Sequence, residues 1–161
     1  MALKPDREFV LFDISYFVTA ISGPDTTRMT RGGGLCVATS TPGSGAAMDS
    51  ANQLVEYATS SSGRIAAGIL LNDFVNIDFS RQHLNDYKDE LQIGNKAVIL
   101  KDGWVVTNAI MPGQATGTMP ATAYIGSSGN ITDVNVGGFP TIGQFLTRKD
   151  SDGYAKLRVN V

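Results

Sequence analysis

Charged side chains are scarce in this sequence. They make up 17% of the 161 residues, whereas about a quarter is usual for a soluble domain. Lysine and glutamate, which favour solvated helices, occur only six and three times. Glycine occurs 18 times, and valine, isoleucine and threonine together occur 37 times. Because β-branched residues favour strands and glycine favours turns, the composition predicts an all-β fold.

The sequence also lacks an excess of positive charge, a second cysteine and a long apolar run. Its 13 basic and 15 acidic residues give a net charge of −2, so we expect no nucleic-acid partner. Cys36 is the single cysteine and forms no intrachain disulfide, as is typical of a reducing compartment. No apolar run is long enough for a membrane span. Residues 1–8 lack the apolar centre of a signal peptide, so we expect synthesis in a cytoplasm.

The chain divides by pattern into two parts. Residues 1–49 are predicted to form an extended N-terminal arm with glycine-rich loops, and residues 1–8 a tail. An apolar, aromatic strand is predicted from Phe9 to Thr19. Residues 50–161 contain short apolar runs separated by turn residues, and this spacing predicts a compact antiparallel β-barrel or sandwich.

Hairpin turns are predicted where turn residues separate two apolar runs. Asp102-Gly103 is the strongest such signal. Three further hairpins are predicted, with turns at Ser60–Gly63, Ser127–Gly129 and Asp150–Gly153.

No group of residues matches a catalytic or metal site. His83 is the single histidine, and Ser80 and Asp86 are too close to it in sequence to predict a catalytic triad. Cys36 has apolar neighbours and is predicted to be a buried thiol. Asp150–Gly153 is similar to the start of a calcium loop but lacks the later ligands, so a hairpin turn is the better interpretation. We therefore expect no enzyme activity, cofactor or metal.

Charge is distributed unevenly along the chain. Residues 103–147 contain one charged side chain, Asp133, in 45 positions, whereas residues 81–102 contain eight in 22. Two interpretations are open: serine, threonine, asparagine and glutamine solvate the neutral segment, or other protein chains cover much of it.

Several short segments of the sequence, taken in order, resemble the small capsid decoration proteins (cement or head-stabilising proteins) of tailed bacteriophages. The resemblance covers about residues 50–161, and its motifs are strands and turns. They are Gly68–Asp73, Ile93–Lys96, Gly103–Asn108, Ala123–Ile125 with Gly129, Ile142–Leu146 and Lys149–Lys156.

The resemblance implies a non-enzymatic protein on the outer surface of the virion. Such a protein binds the major capsid protein, commonly as a homotrimer, and stabilises the head by bridging neighbouring capsid subunits. From the apolar stripe of the N-terminal strand we expect partner contacts by strand addition, at Phe9, Phe12, Tyr16 and Phe17. The alternative interpretation is that this strand packs in the core of its own domain.

Two other functions are open. The chain is alternatively another virion β-module, from a tail, baseplate or fibre, which binds protein or carbohydrate. Exposed aromatic side chains would favour carbohydrate, but Trp104 and Tyr124 lie in apolar runs and are predicted to point into the core. A small enzyme that uses His83 is the third possibility, and it lacks catalytic partners.

Overall fold

A computed structural model describes residues 3–20, 28–38, 54–75, 91–92 and 94–161. These residues form strands, turns and one short 3-10 turn (Ser127–Gly129) and contain no α-helix, which confirms the all-β prediction. In the described part of the chain, no helix is long and apolar enough to cross a membrane. The strands are β1 (Leu3–Asp13), β2 (Phe17–Ala20), β3 (Arg28–Met29), β4 (Gly34–Val37), β5 (Leu54–Glu56), β6 (Ala66–Leu70), β7 (Phe74–Val75), β8 (Leu91–Gln92), β9 (Ile99–Thr107), β10 (Ala121–Ile125), β11 (Ile131–Thr132), β12 (Thr141–Phe145) and β13 (Ala155–Asn160).

Ten of these strands form one mostly antiparallel sheet. Its order is β11-β10-β12-β13-β9-β6-β4-β5-β2, and β1 pairs with β9 outside this path. A second sheet has the order β3-β7-β8. Over the described residues the large sheet does not close into a barrel, so the fold is consistent with the sandwich alternative.

Strand β9 is the branch point of the large sheet. Val105 of β9 pairs with Arg7 of β1 and with Leu157 of β13, while Leu100 pairs with Phe12 of β1 and with β6. A strand has two edges. One edge of β9 pairs with β1. The opposite edge pairs first with β6 and then, further along β9, with β13. β1 is therefore attached to the large sheet through β9.

The core lies beneath the inward-facing residues of the large sheet. In β13, for example, Ala155, Leu157 and Val159 are buried and the residues between them are not, as expected for a strand with one solvated face. The buried side chains form two clusters. The largest fully buried members include Phe74, Phe145, Leu35, Ile69, Ile99, Ile125, Ile142 and Leu157.

The prediction of a hairpin at Asp102-Gly103 is wrong. β9 continues through both residues as a single strand of nine residues. The glycine serves a different purpose, because a Cβ at position 103 would lie 2.3 Å from the carbonyl oxygen of Glu8. Its φ of +143° also lies in the region that favours glycine. Gly103 thus allows β1 to approach β9.

The prediction of a hairpin across Ser60–Gly63 is also wrong. β5 and β6 do not pair with each other, because β4 lies between them and pairs with both. In β4, Cys36 is opposite Glu56 on one side and Ala66 on the other. The turn residues indicated that the chain reverses here. They could not indicate that β4, from an earlier part of the sequence, lies between the two strands.

The two later hairpins are confirmed. β10 pairs with β11 around Ser127–Gly129, and β12 pairs with β13. In the second turn, the Asp150 side chain accepts hydrogen bonds from the backbone N–H groups of Asp152 and Tyr154, at 3.0 and 2.7 Å. Aspartate stabilises turns in this way, so the turn interpretation of Asp150–Gly153 is confirmed.

The two predicted parts of the chain meet in one sheet. β1, β2 and β4 come from residues 1–49 and pair with strands from residues 50–161. The boundary at residues 49 and 50 falls in the range 39–53, which lies outside the described residues.

Candidate binding surface

The longest strand, β1, exposes apolar side chains that other strands bury. Its residues from Pro5 to Phe12 are all exposed. Phe9, Val10, Leu11 and Phe12 retain 39, 65, 56 and 57% of their accessible surface. A strand usually exposes one face, whereas consecutive exposed residues mean that both faces of β1 are open to solvent. We call residues Phe9–Phe12 the apolar segment of β1.

The start of β1 is fastened to the domain. Leu3 is buried, with 2% of its surface accessible, and belongs to the larger core cluster. The Lys4 ammonium lies 3.2 Å from an Asp150 carboxylate oxygen and 4.3 Å from the centre of the Tyr154 ring. The prediction that residues 1–8 form a tail is therefore wrong from Leu3 onward. Residues 1–8 include four charged side chains, and this composition did not indicate that Leu3 would be buried.

A second contact holds the middle of β1. The Trp104 indole N–H donates a hydrogen bond of 2.8 Å to the Glu8 carboxylate. The Lys156 ammonium lies 3.4 Å from the centre of the Trp104 ring. Trp104 is half-buried on the outer side of β9, and Tyr124 is half-buried on the outer side of β10, so the prediction that both point into the core is wrong. These contacts fix the backbone of β1 without covering its apolar segment.

β1 ends at an aspartate turn. The Asp13 carboxylate accepts hydrogen bonds from the backbone N–H and the hydroxyl of Ser15, at 2.8 and 2.6 Å. Local hydrogen bonds of this kind compete with strand pairing. The predicted strand Phe9–Thr19 is accordingly two strands, with residues 14–16 between them.

The four predicted contact residues fall into two pairs. Phe9 and Phe12 lie in the exposed apolar segment. Tyr16 and Phe17 are half-buried: the Lys101 ammonium donates to the Tyr16 hydroxyl at 3.2 Å, and Phe17 is opposite Leu54 in the β2–β5 pair. Of the four, the structure thus leaves only Phe9 and Phe12 exposed to a partner.

A second feature is a polar row across the outer face of the large sheet. Thr122 is opposite Gln144, Gln144 is opposite Arg158, and Arg158 is opposite Trp104. Directly opposed residues point to the same face, so these side chains line up across β10, β12, β13 and β9. A depression of about 410 Å³ lies beside the row, lined by Thr122, Thr141, Gly143, Gln144, Arg158 and Asn160. Sequence patterns did not reveal this alignment, since it depends on the order of four strands.

The remaining candidate groups do not assemble into a catalytic centre among the described residues. Cys36 is buried, as predicted, and burial raises the pKa of its thiol to about 12. Such a thiol is protonated and unreactive at neutral pH. Ser80, His83 and Asp86 lie outside the described residues. In the described ranges, no three histidine, cysteine, aspartate or glutamate side chains are placed to bind a metal ion.

Compared with known proteins, the chain matches no family model and no curated protein sequence.

Proposed function

We propose that this chain is a non-enzymatic structural protein that binds the outer surface of a bacteriophage capsid and stabilises the head by bridging neighbouring major capsid subunits. The observation that carries the proposal is the exposed apolar segment of β1. The resemblance of residues 50–161 to capsid decoration proteins supplies the identity of the partner.

The apolar segment has the composition of a contact surface. Two phenylalanines and two aliphatic residues lie side by side and are more than one-third exposed. Contiguous exposed apolar surface is uncommon on monomeric proteins and marks sites of protein contact. Because β1 is fastened at Leu3 and Glu8, the segment is held ready to bind and loses little conformational freedom on docking.

Charged residues surround the segment. Lys4, Asp6, Arg7 and Glu8 precede it and Asp13 follows it. An apolar centre with a polar rim is the usual arrangement of a protein interface. Many copies on one icosahedral shell would add weak contacts together, so a small segment is sufficient.

Binding to purified heads tests the proposal. Heads from a phage that lacks this gene are mixed with the purified chain, and the bound fraction is measured by sedimentation. Burying one phenylalanine side chain is worth about 1.5–3 kcal/mol, so we expect Phe12→Ser to weaken binding about 10- to 100-fold. Ile65→Ser is the matched control, because Ile65 is 68% exposed but lies outside β1. Absence of binding by the wild type, or equal binding by both variants, would refute the proposal.

The polar row favours a second candidate, a tail, baseplate or fibre module that binds carbohydrate. Trp104 lies on the outer face, in line with the polar side chains of Gln144 and Arg158. Sugars are bound by aromatic side chains placed beside hydrogen-bonding groups. A glycan array distinguishes the candidates: binding that is lost in Trp104→Ala but kept in Phe12→Ser would support the carbohydrate module.

A further inference from the structure

β1 has an open edge as well as open faces. Among the described residues it pairs with β9 only, along one of its two edges. With respect to the residues that the structure describes, the other edge presents unpaired backbone N–H and C=O groups along a strand of 11 residues. Proteins usually protect such an edge with proline, charge or a short strand. Here Pro5 and four charged residues lie before the apolar segment and Asp13 lies after it, so none of them lies within it.

We propose that the open edge of β1 pairs with β1 of a second copy of this chain, antiparallel and about a two-fold axis. Antiparallel pairing of identical strands closes on itself, so it yields a dimer and not an open chain of molecules. The proposal assigns the edge of β1 to a second copy, in place of the strand addition to a capsid partner expected from the sequence, whereas the proposed capsid contact uses the side-chain faces of β1. The two proposals can therefore fail separately.

The charges of β1 select the register of this pairing. A two-fold axis between antiparallel copies of one strand stands perpendicular to the sheet and passes between two copies of the same residue, because directly opposed residues point to the same face. Within the apolar segment it can pass through Phe9, Val10, Leu11 or Phe12. The axes through Phe9, Leu11 and Phe12 place no two charged residues opposite each other.

The register about Val10 has complementary charges. An axis through Val10 places Arg7 of each copy opposite Asp13 of the other and places Val10 opposite itself. Opposite charges across a strand pair are each worth a few tenths of a kcal/mol to about 1 kcal/mol, and the symmetry supplies this pair twice. We therefore assign the axis to Val10.

The shape of β1 is compatible with this axis. The register of β1 against β9 shifts between Phe9 and Leu11, so the strand bends at Val10. An axis through Val10 places the bend of both copies at the same point. Pairing also sets the two apolar segments side by side, which doubles the continuous apolar surface available to a capsid.

Cysteine trapping tests the register. Opposed Cα atoms in an antiparallel pair lie about 4.5–5.5 Å apart, within the range of about 4.4–6.8 Å that a disulfide spans. We expect Val10→Cys to form a covalent dimer on mild oxidation. Val136→Cys is the matched control, because Val136 is also 65% exposed but lies outside β1. Cys36 is buried and adds no background. Equal crosslinking of the two variants would overturn the register.

Charge reversal tests the interface without a crosslink. In analytical ultracentrifugation we expect a wild-type dimer, a dimer about tenfold weaker in Arg7→Glu, and recovery in Arg7→Glu combined with Asp13→Arg. Far-ultraviolet circular dichroism confirms that each variant is folded. A wild-type monomer or trimer, or an Arg7→Glu dimer of unchanged strength, would overturn the proposal. Because no capsid is present, this outcome is independent of head binding.

Discussion

Replacing Gly103 with alanine tests how β1 is held on the domain. A Cβ at this position would lie 2.3 Å from the Glu8 carbonyl oxygen and 3.2 Å from the Phe9 Cα. Both neighbours are backbone atoms of β1, so no side-chain rotation relieves the contact. The substitution Gly103→Ala must therefore move β1 away from β9.

The expected cost has two parts. A side chain at φ +143° occupies a backbone region that is nearly restricted to glycine, at about 1–3 kcal/mol. Forcing an extra methyl group into a packed contact costs about 1–3 kcal/mol more. We expect Gly103→Ala to lower the free energy of unfolding by about 2–6 kcal/mol. That is a large share of the 5–15 kcal/mol or so that holds a domain folded.

Gly113→Ala separates the two parts. Gly113 also has a positive φ, +74°, but no atom lies within 4 Å of the position of its Cβ. The control therefore carries the backbone cost, about 1–2 kcal/mol, without the clash. Urea unfolding measures both variants, and hydrogen exchange of residues 3–13 reports the pairing of β1.

The difference in stability between the two variants tests whether Gly103 is needed for the approach of β1. We expect Gly103→Ala to cost more than Gly113→Ala and to speed exchange in β1 before the whole domain unfolds. Equal losses of stability, with unchanged exchange at residues 3–13, would refute the claim that Gly103 is needed for the approach of β1.

Three further predictions concern single contacts. Tyr57→Phe should cost about 1–3 kcal/mol in urea unfolding, because the Tyr57 hydroxyl donates to the Thr30 carbonyl at 2.7 Å and accepts from the Gly33 N–H at 3.1 Å; an unchanged midpoint would contradict it. Leu3→Ala should cost about 2 kcal/mol or more and expose β1 to proteases, and unchanged proteolysis would count against the anchor. For Asp150, hydrogen bonds from the Tyr154 N–H and from Lys4 hold the pKa below its ordinary value of 3.8. Its stabilisation is therefore present above pH 3.8 and is lost as the pH falls through the lower folded pKa. Asp150→Asn should accordingly flatten the acid side of the stability profile, and an unaltered profile would exclude this role.

The fold class and the late hairpins could be predicted from the sequence because their causes are local. Strand propensity follows from composition, and the turn at Asp150–Gly153 is stabilised by the side chain of its first residue. Burial of Cys36 followed from its apolar neighbours. Each of these predictions needed no knowledge of distant residues.

The failed predictions share a different cause. Asp102-Gly103 has the composition of a turn, but its glycine is required by a strand some 95 positions earlier, as the pairing of Phe9 with Gly103 shows. The turn residues at Ser60–Gly63 gave no sign that β4 would separate β5 from β6. Sequence neighbours specify turns, whereas strand partners are selected by packing across the whole sheet.

The candidate binding surface likewise depends partly on local sequence and partly on strand packing. The apolar stripe identified Phe9 and Phe12, but the same stripe included Tyr16 and Phe17, which are half-buried. What separates the pairs is the aspartate turn between them: Asp13 binds Ser15 and ends β1, and the chain then enters β2 beside the core. Hydrophobic periodicity alone does not distinguish an outer strand from an inner one.

The uneven charge of the chain is consistent with this arrangement. The neutral segment 103–147 exposes mainly threonine, glycine and asparagine in its loops, so uncharged polar groups solvate much of it. Around β1 the pattern is reversed, because four charged residues precede an apolar centre and Asp13 follows it. Charge at the rim keeps an exposed apolar strand soluble and rejects misaligned partners. It does so without covering the apolar segment, which therefore stays available for the proposed partner contact.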